Sequence, residues 1–331
     1  VTDEPEKYGP AYPWAEGVTV RHRSELDAVQ RELREFPGVS AMIYDQTCAS
    51  EKRRRRKKIG KDGKPAYPDP AKRAVINEAV CEGCGDCSVQ SNCLSVEPLE
   101  TEFGRKRQIN QSSCNKDFSC VTGFCPSFVT VEGGKLKKPA KPKADAGASF
   151  DVASLPLPQL PSTTQPFGTL VTGVGGTGVI TIGQIMAMAA HLQGKACSVL
   201  DMTGLAQKGG AVMSHVRLAD NYDDLQSTRV GTGMADLVIG CDLIVTAAKD
   251  ALTRMGEGRT FAAVNASSSP TATFIKNPNW QFPGGVAEAD IRKACGEERV
   301  DMIDAANIAT ALMGDSIAAN MFLLGYAWQK G

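Results

Sequence analysis

The sequence predicts an α/β protein: a doubly wound C-terminal sheet, preceded by a cysteine-rich insert and by the end of a further α/β unit. From Phe167 onward, short apolar runs alternate with helical patterns, as a sheet with crossover helices requires. Seven of the eleven cysteines fall between Cys81 and Cys125. Residues 134–166, rich in Lys, Pro, Ala and Ser, separate the two regions. The 331 residues, 42% of them hydrophobic, suffice for about two domains. The 37 basic and 37 acidic residues cancel, which argues against a bulk nucleic-acid or membrane-surface binder. No run reaches the ~18 apolar residues of a spanning helix, so no membrane association is expected. The opening VTDEPEKYGP lacks the apolar stretch of a secretion signal, so a cytoplasmic setting is expected. Val1 in place of Met, and an end at Gln329-Lys330-Gly331 straight after the apolar SIAANMFLLGYAW, predict a piece of a longer polypeptide. No internal repeat is evident.

Taken in order, Ser24 is a candidate N-cap for a helix carrying Leu26, Val29, Leu33 and Phe36 on one face. Pro37-Gly38 ends it, and Val39–Tyr44 reads as a buried strand. Lys52–Lys58 are seven consecutive basic residues, readable as a solvated mobile loop or as a dock for an acidic partner or phosphate. The linker 134–166 has too few apolar residues to pack and is expected to be extended or disordered. Beyond it, strands are predicted at Gly168–Thr172, Ala196–Leu200, Val212–Leu218, within Leu237–Ala247, at Thr260–Asn265 and at Val300–Ile303. Helices are predicted at Gly178–Gln193, 286–295 and 305–313.

The strongest signal is Cys81-x2-Cys84-x2-Cys87-x5-Cys93 followed by Cys114-x5-Cys120-x4-Cys125-Pro126. A tight C-x2-C-x2-C loop lets three thiolates cap three corners of a cubane, with the fourth ligand supplied from the other half just before a proline. That spacing assigns Cys81, Cys84, Cys87 and Cys125 to one [4Fe–4S] cluster. Cys93, Cys114 and Cys120 are left for a second site: a cluster with a non-cysteine ligand such as Asp117, a [3Fe–4S] cluster, or none. Zinc is the competing reading, but its sites use paired knuckles rather than a triple.

Gly173-Val174-Gly175-Gly176-Thr177-Gly178 ends a strand and opens a helix, matching G-x-G-x-x-G. Asp201 lies 23 residues past Gly178, near the roughly 20-residue spacing of a ribose-binding acid, so the motif alone predicts a dinucleotide. Lys208-Gly209-Gly210 forms a second glycine-rich loop suited to phosphate. His215 reads as a core histidine, and His22 and His191 as surface residues. Cys197, Cys241 and Cys295 read as small buried hydrophobes, and Cys48 as a thiol of lowered pKa beside the basic run.

The segments YDQTCASEKRRRRKK, CEGCGDCSVQSNCLSVEPLETEFGRKRQINQSSCNKDFSCVTGFCP, GVGGTGV and DMTGLAQKGGAVMSHVR occur in this order. In this the chain resembles the C-terminal half of the fused, long-form indolepyruvate ferredoxin oxidoreductases, within the 2-oxoacid:acceptor oxidoreductase family. The resemblance implies that 1–60 is the tail of a thiamine-diphosphate-binding α/β domain and 75–133 a ferredoxin-like iron–sulfur domain. After the 134–166 linker, 167–331 would be a truncated γ-type domain. It implies oxidative decarboxylation of an aryl 2-oxo acid to an acyl-CoA, with thiamine diphosphate and Mg as cofactors of the whole enzyme and coenzyme A as co-substrate. Electrons would pass through one or two [4Fe–4S] clusters to ferredoxin. It implies further a homo-oligomer and an N-terminal portion of the same polypeptide as partner. The family's diphosphate motif is absent from this sequence, so no catalytic residue is assigned here. Gly173, Gly175, Gly176, Thr177 and Gly178 become, by the resemblance, a loop framing the thiamine and coenzyme A region rather than a nicotinamide site. The alternatives are an NAD-dependent iron–sulfur oxidoreductase and a zinc-binding scaffold.

Overall fold

A computed structural model describes residues 1–65, 67–134, 154–204, 209–277 and 279–331. The chain forms two compact units, Val1–Pro70 with Asn115–Asp117, and Ala71–Cys114 with Phe118–Gly331.

In the first unit, α1 (Leu26–Glu35) half-buries Leu26, Val29 and Leu33, as the helical spacing predicts, while Phe36 is exposed. Ser24 does not cap it. It lies in a 3-10 turn over Arg23–Glu25, where His22 Nδ1 accepts the Ser24 amide at 3.2 Å. The predicted strand at Val39–Tyr44 does not form: Val39 is 97% exposed and Ile43 74%. A strand needs a partner ladder, and among the described residues here only isolated bridges form, from Thr2 to His22 and Asp45 and from Ile59 to Pro65. The basic run is also not a loop down to Lys57. It continues α2 (Ala49–Lys57), because Lys and Arg are good helix formers and Glu51 in the first turn pairs with Arg55 at 2.9 Å.

The second unit begins with a cysteine lobe: β1 (Lys72–Ile76), α3 (Asp86–Ser91), β2 (Val96–Thr101), β3 (Gly104–Ile109) and β4 (Phe128–Glu132). β1 pairs antiparallel with β4, and β2 with β3, as two separate two-stranded sheets.

Contrary to the sequence reading, this lobe is an internal repeat. The Cys81 amide donates to Asn77 O, and the Cys114 amide to Asn110 O, both at 3.0 Å. The Asn77 amide donates to Ser127 O and the Asn110 amide to Ser95 O, both at 2.8 Å. Left-handed residues recur in step, Gly83 (φ 72°) with Lys116 (φ 56°) and Gly85 (φ 89°) with Phe118 (φ 58°). Each strand–Asn–Cys loop of one half thus closes on the serine two residues past the last cysteine of the other. The repeat escapes a sequence reading because few residues besides Ile-Asn and the cysteines are shared, and because the last cysteine is offset by one residue.

The larger part is a six-stranded sheet ordered β10-β9-β8-β5-β7-β6. Its first half is β5 (Phe167–Val174), α4 (Val179–Leu192), β6 (Ala196–Thr203) and β7 (Ala211–Ala219). There follow β8 (Leu237–Gly240), the short helices α5 (Leu243–Thr246) and α6 (Lys249–Leu252), β9 (Phe261–Asn265) and α7 (Ala272–Lys276). The chain ends with α8 (Gly284–Cys295), β10 (Val300–Ile303), α9 (Ala305–Met313) and α10 (Ala319–Lys330). Neighbours from β10 to β5 are parallel, but β7 is antiparallel to both β5 and β6. The sheet is therefore mixed. Successive residues face opposite layers: Leu170, Val238 and Val264 pack with Ile291 and Cys295 of α8, whereas Val171, Ile239 and Ala263 pack with Ile182 of α4 and Leu323 of α10. Both faces are covered, which explains the near-continuous apolar strands.

The linker is only partly described. Residues 135–153 lie outside the described residues. The stretch 154–166 is largely exposed and forms no α-helix or strand, as an extended linker should, with one anchor: Thr163 is buried and its carbonyl accepts the Asp220 amide at 2.9 Å, just past β7. Polar anchoring here replaces the apolar contacts the composition lacks.

Candidate functional site

Four of the seven cysteines of the insert, Cys81, Cys87, Cys93 and Cys120, meet in one small kernel. Ile76, Cys81 and Val96 are buried there, with Cys87, Cys93, Cys120, Ile109 and Phe128 packed against them. Cys84 is exposed, and Cys114 and Cys125 are half-buried, the latter with Sγ 3.2 Å from Ser127 Oγ. Among the described residues no three Cys, His, Asp or Glu side chains converge on a single-ion site. The donors suit a thiolate-held cluster in three respects. The Gly83 amide donates to Cys81 Sγ and the Ser95 amide to Cys93 Sγ, each at 3.4 Å, as thiolate sulfurs accept. Gly83 and Gly85 supply the left-handed backbone of a tight loop, and a Cβ on Gly83 would lie 2.2 Å from the Arg105 carbonyl oxygen. The third is a buried cation: Arg107, 2% exposed, interacts electrostatically with Cys87, Cys81 and Cys84. Burial pushes the Cys87 thiol up, opposed by Arg107. In the repeat, Cys81 and Cys87 correspond to Cys114 and Cys120, Cys93 to Cys125, and the position of Cys84 is held in sequence by Asp117.

The glycine loop runs from β5 into α4. Gly173 lies tight against its neighbours, since a Cβ there would come 2.7 Å from Val179 Cγ2 and 2.9 Å from Cys241 Cβ. Gly176 (φ 87°) and Gly178 (φ 103°) take the left-handed turn into the helix. The Gly175 amide is already used by Gly210 O at 2.7 Å, so the two glycine-rich loops do meet, although Lys208 lies outside the described residues. Thr177 Oγ1 folds back on Val174 O at 2.7 Å. Asp201 is not where a ribose-binding acid belongs. It stands on β6, which β7 separates from β5, whereas a dinucleotide fold sets those two strands side by side.

Sequence reasoning missed two polar residues at this edge. Asn320, buried within the apolar run of α10, donates through Nδ2 to Thr177 O at 2.9 Å and to Thr177 Oγ1 at 3.2 Å, pinning the loop. The one asparagine in SIAANMFLLGYAW was the available signal. Asp242, between β8 and α5 and next in sequence to the Cys241 that packs on Gly173, caps α5 by accepting the Val245 amide at 2.9 Å, and burial pushes its carboxyl above the ordinary 3.8. Of the residues read as structural, His215 is fully buried and its Nδ1 accepts the Val230 amide at 3.2 Å. Burial holds Cys241 and Cys295 as thiols, pushed up to about 12 and about 11. Cys197 is half-buried rather than enclosed, and His22 and His191 are exposed, as expected. Cys48 is exposed at the N-cap position of α2.

A mixed six-stranded α/β sheet, with a glycine loop where its parallel part meets the antiparallel β7, joined to a cysteine-rich repeat, defines the class as an α/β domain with a cysteine-rich insert. Residues 169–331 match the profile of the family "Pyruvate ferredoxin/flavodoxin oxidoreductase". Over that segment, just under half of its length, the chain is similar to the 2-oxoacid ferredoxin oxidoreductases. Indolepyruvate oxidoreductase subunit IorB of Pyrococcus horikoshii is 32% identical over 73 residues, 22% of this chain and 35% of that protein. The subunit of the same name from Methanothermobacter thermautotrophicus is 27% identical over 161 residues, 49% of this chain and 77% of that protein. The pyruvate oxidoreductase subunit PORC of Thermotoga maritima, a crystal structure, aligns at 20% identity with a TM-score of 0.34, over 49% of this chain and 74% of that one. The chain thus spans about a third of the first relative's length and about three quarters of the second's. None of the described helices is long and apolar enough to cross a membrane.

Proposed function

We propose that this chain is the electron-relaying part of a cytoplasmic 2-oxoacid:ferredoxin oxidoreductase that converts an aryl, indolepyruvate-like 2-oxo acid to its acyl-CoA. The observation that carries this reading is the Cys81–Cys87 loop, with its Gly83 amide-to-sulfur hydrogen bond, in one compact unit with the family-matched sheet. Cys81, Cys84, Cys87 and Cys125 are the proposed ligands of one [4Fe–4S] cluster, and Cys93, Cys114 and Cys120 of a second centre. Such a cluster supplies a one-electron carrier between substrate oxidation and ferredoxin. The role of this chain is to hold the thiolates in a partly dry pocket and aim amide donors at the sulfurs, which sets the potential.

In this reading thiamine diphosphate and Mg are bound by the N-terminal portion of the same polypeptide, in a homo-oligomer. Gly173, Gly175, Gly176, Thr177 and Gly178 form a rigid backbone wall toward the thiamine and coenzyme A region, held by Asn320. The basic face of α2 is the proposed dock for an acidic ferredoxin. Reversing the charges of Lys52–Lys58 should slow ferredoxin reduction steeply at low salt and little at high salt. Unchanged low-salt kinetics would remove that dock.

The test is iron, zinc and acid-labile sulfide content of anaerobically purified protein, with EPR after dithionite reduction. About four irons per chain means one cluster, and about seven to eight means two. Stoichiometric zinc without sulfide would refute the reading and leave a zinc-bound scaffold.

A further inference from the structure

Arg107 on β3 is 2% exposed, and its Nε is buried with no hydrogen-bond partner. One terminal nitrogen reaches the Lys106 carbonyl at 3.2 Å, and the guanidinium stacks 4.5 Å from the ring centroid of Phe274 on α7, itself 2% exposed. Among the described residues no carboxylate pairs with it. A buried, unpaired cation is strongly unfavourable, so the fold retains it only against a compensating negative charge. The groups that act on it electrostatically are the Cys87, Cys81 and Cys84 sulfurs, on the loop that Gly83 lets settle against the Arg105 carbonyl, and the Arg105 guanidinium, a second cation that adds to the need for negative charge. The internal repeat supplies a control. The position equivalent to Arg107 in the other half is Ala74, 3% exposed. A small apolar residue therefore satisfies the packing of this motif, and the guanidinium is an addition specific to one side.

We propose that Arg107 is the built-in counter-charge of the iron–sulfur centre held by Cys81, Cys84 and Cys87, and raises its reduction potential above that of the centre in the other half. The inference rests on the cluster reading above. A cysteine-ligated [4Fe–4S] centre is anionic, and reduction adds one further negative charge, so a fixed cation stabilises the reduced form more than the oxidised one. Phe274 and the strands around it exclude water, which keeps that interaction unscreened. The sheet domain thereby acts on the centre through α7.

The experiment compares the full chain with Arg107→Met and Arg107→Lys by iron and sulfide content and by EPR-monitored redox titration. Arg107→Met, close in volume, is expected to keep its iron. At fixed potential its reduced-to-oxidised ratio should fall about tenfold, which is ~59 mV for a one-electron couple. Arg107→Lys should lie near the parent. Loss of iron from the Met variant alone, restored in the Lys variant, would also support the counter-charge role. An unmoved midpoint with iron intact, or loss of iron from both variants, would overturn it. If the parent chain itself carries no iron or sulfide, the cluster reading fails first, and the parent sample alone shows it.

Discussion

In the sheet domain Leu170, Val171, Val238, Ile239 and Val264 are fully enclosed on strands covered by helices on both faces, whereas the enclosed apolar kernel of the cysteine lobe is Ile76, Cys81 and Val96. The first region is held by apolar area removed from water. The second consists of two two-stranded sheets, each marginal by itself, and encloses a cation besides. The difference teaches where a bound group matters. The sheet domain can stand on its own packing, while on the proposed reading the lobe relies on a ligand that crosslinks its loops and neutralises Arg107.

The largest expected effect breaks the two regions apart. Chelating the metal under reducing conditions should abolish hydrogen-exchange protection in β1–β4 while β5, β8 and β9 stay protected. Equal protection in the lobe before and after chelation would show that it folds on its own contacts. Next in size is Gly173→Ala, whose Cβ would sit 2.7 Å from Val179 Cγ2 and 2.9 Å from Cys241 Cβ. Overpacking of this kind costs ~1–3 kcal/mol, measurable by denaturant unfolding of the sheet domain, with cluster content unchanged.

Asn320→Ala is expected to be milder, ~0.5–1.5 kcal/mol, because the Thr177 carbonyl it leaves lies on an exposed residue that water can reach. The sharper readout is faster amide exchange confined to Gly176–Val179; uniform destabilisation would argue against a pin. The smallest effect concerns pH. Burial, reinforced by Arg254 and Arg229, holds His215 below its ordinary 6.5. The neutral ring is favoured in the fold, so this contribution is present above 6.5 and is lost as pH falls from there toward the lowered folded value. The sheet domain's Tm should therefore drop on acidification below 6.5, and His215→Gln should flatten that slope. A parallel drop in the variant would assign it to other groups.

Most of the sheet domain was legible because its strands are short apolar runs buried on both faces, with the helices α4, α8 and α9 filling the spans between them. The mixed direction was not legible: an apolar run such as Val212–Leu218 has the same composition in either orientation. In the first unit, Val39–Tyr44 has strand composition but no ladder partner, and Lys52–Lys58 has loop-like charge yet continues a helix that Glu51 starts. The cysteine pattern was the clearest part of the candidate site, since three thiols at two-residue spacing serve few ends other than the proposed metal ligation. Arg107, Asn320 and Asp242 were invisible because each is an ordinary polar residue until its neighbours are known.

Composition and spacing by themselves thus determined the strands and the longer helices of the sheet domain, the cysteine loop and the glycine turn, because these depend on residues within one turn or one strand of each other. Tertiary structure alone decided that β7 enters between β5 and β6 and removes Asp201 from the glycine loop, and that Asn320 reaches Thr177 from 143 positions away. It also decided that a guanidinium lies buried against Phe274, within electrostatic reach of Cys87, Cys81 and Cys84. Those outcomes depend on which distant surfaces are brought together, and burial then sets the energy of every charge and hydrogen bond between them.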